Sequence, residues 1–423
     1  MSNRIARKLR RELLNCAREA NLSGWRSRFK YLLTSASAGN SDIKLRRISE
    51  TLAHFPETRK SRDLIDQAFE LARNRVTVLP RDLGSVDLEY CFIIKPYVSE
   101  SEKGIFLISF ENQLNKVLES GLLKTIKDRY HVIFIPSWTG LFSPALFRLV
   151  AYCCDDPVFV LPVHEHERER VSNLGSHCIS LPFNAASWVN QEFYNSTETE
   201  RDIDCLIVAN FASFKRHWLL FKALKGLPKS VTAVCVGVPL GRRTAESIRL
   251  EAAEYGVSGR VKVVENPRQE DLRLYFQRAK VFCAMSYREG SFIAVAEALM
   301  SGTPVVMFKN AHIGTKSLIT SDVGALVGSV SELRKRVMEF MEFKEHSKVQ
   351  EIARESISAQ ANCQKLNQML AAWSKKNGLK WSQDIEPFYS MRLSFYYFDA
   401  NARERLRPDY NYLADQGINI SIP

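Results

Sequence analysis

Two glutamates that flank the start of one predicted helix are the side chains whose types and spacing could do chemistry. Glu289 and Glu297 are eight residues apart, a span of roughly 12 Å at the rise of a helix. Gly290 allows a tight turn after a strand, and the amides of Ser291 and Phe292 would then form an anion-attracting helix start. Carboxylates accept hydroxyl hydrogen bonds strongly, so this arrangement suits a polyol next to an anion. Two exposed acids on a helix face would give the same spacing by chance.

A pair of cations lies in another predicted loop. Lys215 and Arg216 fall between a predicted strand at 205–209 and a predicted helix at 218–224. A cation in such a loop can meet a phosphate group. A solvated surface pair accounts for these residues equally well from the sequence alone.

The composition limits the class of protein. The 423 residues are 45% hydrophobic and 25% charged, which is typical of a globular chain and excludes a largely disordered or collagen-like one. The run of apolar residues that a membrane-spanning helix needs does not occur. Nine scattered cysteines without metal-ligand spacing predict reduced, mostly buried thiols and a cytoplasmic location. We interpret the segment 164–167 (His-Glu-His-Glu) as an exposed helix start and expect no metal site.

The formal net charge of +12 favours a polyanionic partner such as nucleic acid, an anionic membrane or phosphorylated small molecules. Residues 1–31 hold nine Arg or Lys and two acidic residues. This basic part of a helical extension, predicted over 1–85, would pack on the body or lie on anionic lipid headgroups at the inner face of a membrane. Nucleic acid is disfavoured, since no binding motif is present and the charge is concentrated at one end.

The rest of the chain alternates predicted strands and helices twice. A first array covers 86–190 and includes a helix over 113–127, and a second array covers 191–375 and ends in a helix over 349–375. An irregular linker at 182–199 spans the boundary between them. Such alternation predicts parallel sheets with helices on both faces. We therefore expect an α/β protein with two Rossmann-like, doubly wound domains facing a cleft. The aromatic-rich segment 376–423 is expected to pack back onto the body.

The stretch 286–308 (SYREGSFIAVAEALMSGTPVVMF) resembles the signature of the group 1, family 4-like, glycosyltransferases of the GT-B fold. It shows a Glu-x7-Glu segment followed by a Gly-x-Pro-Val-Val strand. The resemblance extends upstream over 211–222, 234–237 and 271–276, and weaker similarity reaches back over 165–182. In this family Glu289 would contact donor hexose hydroxyls and Glu297 the ribose hydroxyls. Gly290, Ser291 and Phe292 would offer backbone amides to sugar and phosphate.

The same resemblance implies roles for residues outside that stretch. Lys215 and Arg216 would neutralise the donor diphosphate, so that catalysis would rest on these two residues and on Glu289. Gly237 and Asn266 would lie near the nucleobase. The resemblance also implies that neither a cofactor nor a metal ion is required.

Three departures from the family pattern concern the sugar and the acceptor. A glycine-rich loop after the first strand of the acceptor domain is missing, and 96–104 (PYVSESEKG) stands there instead. The segment reads Glu-Gly-Ser-Phe where family members often have Glu-Gly-Phe-Gly, and Lys316 stands where an acid is expected after the Pro-Val-Val strand. Ser137, Trp138 and Thr139 follow a predicted strand at 131–135 and are our acceptor-side candidates, although Trp138 could equally be a core residue.

Together these features predict a glycosyltransferase of polysaccharide or lipopolysaccharide-type biosynthesis, and the resemblance implies that it retains the anomeric configuration. It would move a sugar from a nucleotide-diphosphate sugar to a hydroxyl of a glycan or lipid-linked glycan. The alternative is a non-catalytic GT-B scaffold or binding subunit. A transferase acting on soluble sugars is a further possibility within the enzymes.

Overall fold

The structure is a computed structural model that describes residues 13, 41–54, 61–76, 85–138, 140–153, 156–195, 199–392 and 394–421. The basic segment 1–31 thus falls almost wholly outside the described residues. The described chain forms two units. Unit 1 runs up to Asn184 and also contains Leu366–Phe388 and Arg392 onward, while unit 2 comprises Ala185–Lys365 and Tyr389–Met391. The domains predicted from sequence ran over 86–190 and 191–375.

Unit 1 is built on a five-stranded sheet with the order β2-β3-β4-β5-β6. Its strands are β2 (Cys91–Lys95), β3 (Gly104–Ser109), β4 (Tyr130–Ile135), β5 (Val158–Val160) and β6 (Cys178–Ser180), and β1 (Val86–Leu88) pairs elsewhere with β15 (Ile418–Ile420). The strands from β3 to β6 are parallel, and β2 is antiparallel to β3. The expectation of a purely parallel sheet is therefore wrong at this edge, since only a short connection joins β2 to β3 and a parallel crossover needs a longer one.

Helices of unit 1 cover its sheet and its amino-terminal side. They are α1 (Ser41–His54), α2 (Ser61–Val76), α3 (Glu111–Ser120), α4 (Leu123–Arg129) and α5 (Pro144–Cys153), followed by a 3-10 helix at Glu165–Leu174. The single helix predicted over 113–127 is divided into α3 and α4, because Gly121 adopts a left-handed conformation with φ of 77°. The segment 164–167 is not simply exposed, since Glu167 is buried and accepts a hydrogen bond from the amide of His164.

Unit 2 has one six-stranded, wholly parallel sheet with the order β12-β11-β10-β7-β8-β9. Its strands are β7 (Ile203–Val208), β8 (Ala233–Gly237), β9 (Val261–Glu265), β10 (Ala279–Ala284), β11 (Val305–Phe308) and β12 (Gly324–Val327). Its helices are α6 (His217–Leu224), α7 (Ala245–Tyr255), α8 (Gln269–Arg278), α9 (Ile293–Met300), α10 (Val330–Met341) and α11 (His346–Ile357). The sheet and helices enclose a hydrophobic core that belongs to this unit alone.

The long helix predicted over 349–375 is also divided. The amide of Val189 donates to the carbonyl of Ile357 and the amide of Ala359 donates to the carbonyl of Val189, at 3.2 and 3.0 Å. These bonds hold Ser358 in an extended conformation, and α12 (Ala359–Lys376) begins after it. A contact with a segment 170 residues earlier thus ends the helix, which local sequence cannot reveal.

The carboxyl-terminal segment contains β13 (Phe388–Met391), β14 (Ser394–Tyr397), α13 (Ala402–Arg405), α14 (Arg407–Asp415) and β15. Within unit 1, the carboxylate of Glu102 forms a 2.9 Å ion pair with the Lys95 ammonium, and both side chains are buried. The same carboxylate accepts hydrogen bonds from the amide and hydroxyl of Ser382 and from the amide of Gln383. This one acid therefore fixes residues 382–383 against the β2–β3 connection.

We predict that Glu102→Gln lowers the free energy of unfolding of the protein by about 3–5 kcal/mol, because it leaves Lys95 buried without a counter-ion. Hydrogen bonds from Ser382 and Lys95 lower the pKa of Glu102 from 4.5 to about 2 against the opposing effect of burial. A carboxyl group with a depressed pKa stabilises the fold above its unfolded pKa and loses that effect as the pH falls. The difference between wild type and variant should thus be full above pH 4.5 and shrink towards pH 2.

Denaturant unfolding at several pH values measures this difference. Asp128→Asn is the matched control, since it breaks an exposed pair with Lys124 and should cost less than about 1 kcal/mol. Equal effects of the two variants would contradict the role assigned to Glu102.

Candidate donor site in unit 2

The candidate site lies where two neighbouring central strands end. β7 and β10 are adjacent and parallel, so the loops 209–216 and 285–292 leave the sheet at the same edge. Ligands of open parallel sheets bind beyond the carboxyl ends of the strands. The register of these two strands therefore brings together the two groups of residues that the sequence singled out separately.

An ion pair joins those loops. The Lys215 ammonium contacts the Glu289 carboxylate, and the two side chains are only 8% and 13% exposed. The same ammonium lies 4.4 Å from the centre of the Phe292 ring, within the range of a cation–π interaction. Lys215 is thus not a solvated surface lysine. It presents a partly desolvated cation next to a carboxylate, which is chemically suited to a ligand that carries both phosphate and hydroxyl groups.

Arg216 has a different environment from the neighbouring lysine. Its Nε donates a 2.7 Å hydrogen bond to the carbonyl of Met285, and its guanidinium lies 5.4 Å from the rings of Tyr287 and Phe308. The backbone of Arg216 is left-handed, with φ of 51°, directly before α6. These contacts tie the 209–216 loop to the end of β10. The contribution of Arg216 to diphosphate binding stays a prediction.

The helix that carries Glu297 begins at Ile293. Phe292 has a left-handed φ of 53° and precedes α9, so Glu289 lies in the loop and the helical rise does not apply across the whole spacing. The carbonyl of Gly290 accepts a hydrogen bond from the amide of Gly314 at 2.9 Å, and the amide of Glu289 donates to the carbonyl of His312 at 3.0 Å. Backbone bonds thus join the loop after β10 to the loop after β11.

Hydroxyl groups without partners are buried around these loops. Within the described part of the chain, the hydroxyls of Ser286, Ser291 and Thr315 make no hydrogen bond and are buried. An unsatisfied buried polar group costs about 1–3 kcal/mol. A bound ligand with phosphate or hydroxyl oxygens would satisfy such groups. Ser286 and Thr315 were not among the residues proposed from the sequence.

His217, the first residue of α6, is another buried polar residue that the sequence reasoning missed. It is 1% exposed, and neither ring nitrogen has a hydrogen-bond partner among the described residues. Burial, and to a smaller degree the positive charges of Arg243 and Lys215, lowers the pKa of His217 to about 3. The imidazole is therefore neutral at ordinary pH and does not add to the positive charge of the site.

Glu297 lies on α9 and is buried in unit 2. It is 7% exposed and its Oε1 accepts a 2.8 Å hydrogen bond from the hydroxyl of Tyr194. Tyr194 lies in the segment interpreted as an irregular interdomain linker, yet it is fully buried in unit 2. The aromatic and apolar residues of that segment were the signal that it packs on a core.

Close backbone packing explains the glycine at the end of β8. A Cβ atom on Gly237 would lie 1.9 Å from the carbonyl oxygen of Ala209, so a side chain does not fit. The carbonyl of Gly237 accepts a 2.8 Å hydrogen bond from the amide of Asn266, which has a left-handed φ of 51°. Gly237 and Asn266 are thus adjacent at the same edge of the sheet, and their place near a nucleobase stays a prediction.

The acceptor-side candidates belong to unit 1. The amide of Ser137 donates a 3.0 Å hydrogen bond to Glu111, and Trp138 is 41% exposed, which excludes the reading of Trp138 as a packed core residue. Thr139 lies outside the described residues.

The described ranges hold no cluster of three or more His, Cys, Asp or Glu side chains that could bind a metal ion. No described helix is both long and apolar enough to cross a membrane.

Comparison with known proteins bears on the family and the fold. Residues 190–356 match the family model of the group 1 glycosyl transferases. No protein of curated function matches the sequence. Among solved structures, HepE of Anabaena in complex with UDP matches with a TM-score of 0.51 and 16% identity, over 73% of this chain and 82% of that one.

A second solved structure supports the same fold. Sucrose-phosphate synthase from Thermosynechococcus elongatus matches with a TM-score of 0.50 and 15% identity, over 75% of this chain and 80% of that one. Likeness at such low identity concerns the fold alone. It agrees with two Rossmann-like units, as in the GT-B fold.

We predict that Gly237→Ala destabilises the protein by about 1–3 kcal/mol, because the added methyl group forces the Ala209 carbonyl away. Thermal unfolding measures the loss. Gly259→Ala is the matched control, since a Cβ there meets no atom within 4 Å. An unchanged melting temperature for Gly237→Ala would show that the two backbone segments are not packed as described.

Proposed function

We propose that the chain is a group 1 glycosyltransferase, as the family match over residues 190–356 supports, and that it moves a sugar from a nucleoside-diphosphate sugar to a hydroxyl of a glycan or lipid-linked glycan. The ion pair between Lys215 and Glu289 at the carboxyl ends of β7 and β10 carries this proposal. A nucleotide sugar presents both a diphosphate, which a lysine attracts, and sugar hydroxyls, to which a carboxylate binds. The site offers the two groups side by side.

The donor nucleotide to test first is UDP, because HepE, which shares the fold, was solved with UDP. Gly237 and Asn266 are the residues proposed to lie near the base, and Ser291 and Phe292 near the sugar and phosphate. Glu297 is proposed to accept hydrogen bonds from the ribose. We propose that Lys215 and Arg216 together offset the diphosphate charge without a metal ion.

The proposed chemistry is same-face substitution with retention of anomeric configuration. The bond between the anomeric carbon and the diphosphate oxygen breaks, the acceptor oxygen bonds to that carbon, and the acceptor proton passes to the departing diphosphate. Glu289 pairs with Lys215 and Glu297 accepts from Tyr194, so neither carboxylate is assigned as a nucleophile. A fixed cation at the leaving group then supplies much of the rate enhancement.

The identity of the substrates can be tested by incubating the protein with UDP-, GDP- and ADP-sugars and a lipid extract, followed by mass spectrometry of the products. Proton NMR of the new linkage distinguishes retention from inversion. If binding measurements show no affinity for any of these nucleotide sugars, the non-catalytic scaffold is favoured. Loss of liposome binding on deleting residues 1–31 would support a peripheral membrane location. Ser137 and Trp138 remain the proposed contacts of the acceptor.

We predict that Lys215→Ala lowers turnover by roughly two orders of magnitude, because it removes a preorganised cation from the leaving group. Steady-state kinetics with the donor identified by the product analysis measures the effect. Lys225→Ala, a change of an exposed lysine in the same unit, should leave turnover unchanged. Normal turnover of Lys215→Ala would remove Lys215 from the mechanism.

We predict opposite effects of Glu289→Gln on free UDP and on the sugar donor. Removing the carboxylate frees the Lys215 ammonium for the diphosphate, so free UDP should bind several-fold more tightly. The loss of hydroxyl acceptance should lower kcat/KM for the complete donor by at least tenfold. Calorimetry and kinetics test the two effects, with Glu270→Gln on the exposed face of α8 as control. Weaker binding of free UDP would contradict the charge argument.

A further inference from the structure

Glu297 is a carboxylate on a helix that is otherwise apolar. α9 reads Ile-Ala-Val-Ala-Glu-Ala-Leu-Met, and the residues on both sides of Glu297 are buried. An ionised carboxylate in such surroundings is unfavourable unless hydrogen bonds compensate for the lost water. A hydrophobic residue at this position would serve packing better. The carboxylate of Glu297 is therefore explained better by ligand binding than by stability. The same explanation applies to the residue that donates a hydrogen bond to it.

Tyr194 supplies the compensation. Its hydroxyl donates to Glu297 Oε1 at 2.8 Å and accepts a hydrogen bond from Gln269 Nε2 at 2.6 Å. Because the Gln269 amide occupies an acceptor position of the phenol, the single phenolic proton is directed to Glu297. The order of donors from Gln269 to Tyr194 to Glu297 is thus defined.

The tyrosine ring is fixed by its own packing. Tyr194 is 0% exposed, and its ring makes edge contacts with the rings of Phe193 and Phe276 at 4.9 and 5.9 Å. Glu297 keeps 7% of its surface exposed. Of this pair only the glutamate can reach a ligand, whereas the tyrosine can act only through it.

We propose that Tyr194 is a positioning residue of the donor site, which holds the Glu297 carboxylate in the orientation that accepts hydrogen bonds from the ribose hydroxyls. This inference rests on the proposed function, in which Glu297 meets the ribose. It extends the site into the segment before the first strand of unit 2 and gives the buried chain from Gln269 to Glu297 a role in recognising the nucleotide.

The test compares UDP with 2′-deoxy-UDP as probes, using calorimetry on the full chain. Wild type should bind UDP about tenfold more tightly, the value of one hydrogen bond to a charged group. Tyr194→Phe keeps the ring and removes only the hydroxyl, so it should reduce this ratio to about two, close to that of Glu297→Gln. A merely structural role would weaken both ligands equally and leave the ratio unchanged.

Two control variants separate positioning from stability. Tyr275→Phe on α8 removes a phenol that makes no hydrogen bond to Glu297 and should keep the tenfold ratio. Tyr194→Phe combined with Gln269→Met should recover only the part of the melting temperature that Tyr194→Phe loses at the Gln269 amide, because Glu297 still lacks the hydrogen bond of the phenol, and it should not recover the ratio.

The outcomes are distinct. A ratio near one in wild type, or a tenfold ratio retained in Tyr194→Phe, would overturn the positioning role while leaving the proposed function intact. Failure of wild type to bind UDP, GDP or ADP would instead overturn the proposed function itself.

Discussion

The parallel pairing of β7 with β10 in the centre of the unit 2 sheet is the constraint on which the site depends. Val281 lies opposite Cys205 in that register, so both strands end at one edge and release their loops there. The Lys215 and Glu289 side chains meet only because of this alignment. A slip of one residue would turn the buried side chains of a strand to the opposite face. The apolar core on both faces of the sheet therefore fixes the site as well as the fold.

Polar groups that packing alone would not favour are concentrated at this edge. Lys215 and Glu289 are mostly desolvated, and the hydroxyls of Ser291 and Thr315 are buried without hydrogen bonds in the described chain. Each such group lowers stability, and the large apolar core of unit 2 offsets that loss. Sites that must bind an anion and hydroxyls together need groups that remain unsatisfied until the ligand arrives.

The sequence predicted the alternation of strands and helices in unit 2 and the edge of the sheet where the site would lie, because apolar runs and glycine stops are local signals. It could not predict the break at Ser358, which the backbone of Val189 imposes. Nor could it pair Tyr194 with Glu297, which lies 103 residues away. A polar segment containing a few aromatic residues looks like a linker until the surface that buries those rings is known.

The two glutamates of the Glu-x7-Glu segment look equivalent in sequence but have opposite surroundings. Glu289 precedes the helix and its charge is balanced by the Lys215 cation, so a ligand that attracts the lysine also changes the state of this acid. Glu297 lies on the helix and is stabilised by a neutral phenol, whose direction the Gln269 amide fixes. A charge partner can be displaced by a phosphate, whereas a neutral donor held in the core cannot. If the proposed function holds, the first acid is suited to a step in which charge is redistributed, and the second to constant recognition of the part of the donor that does not react.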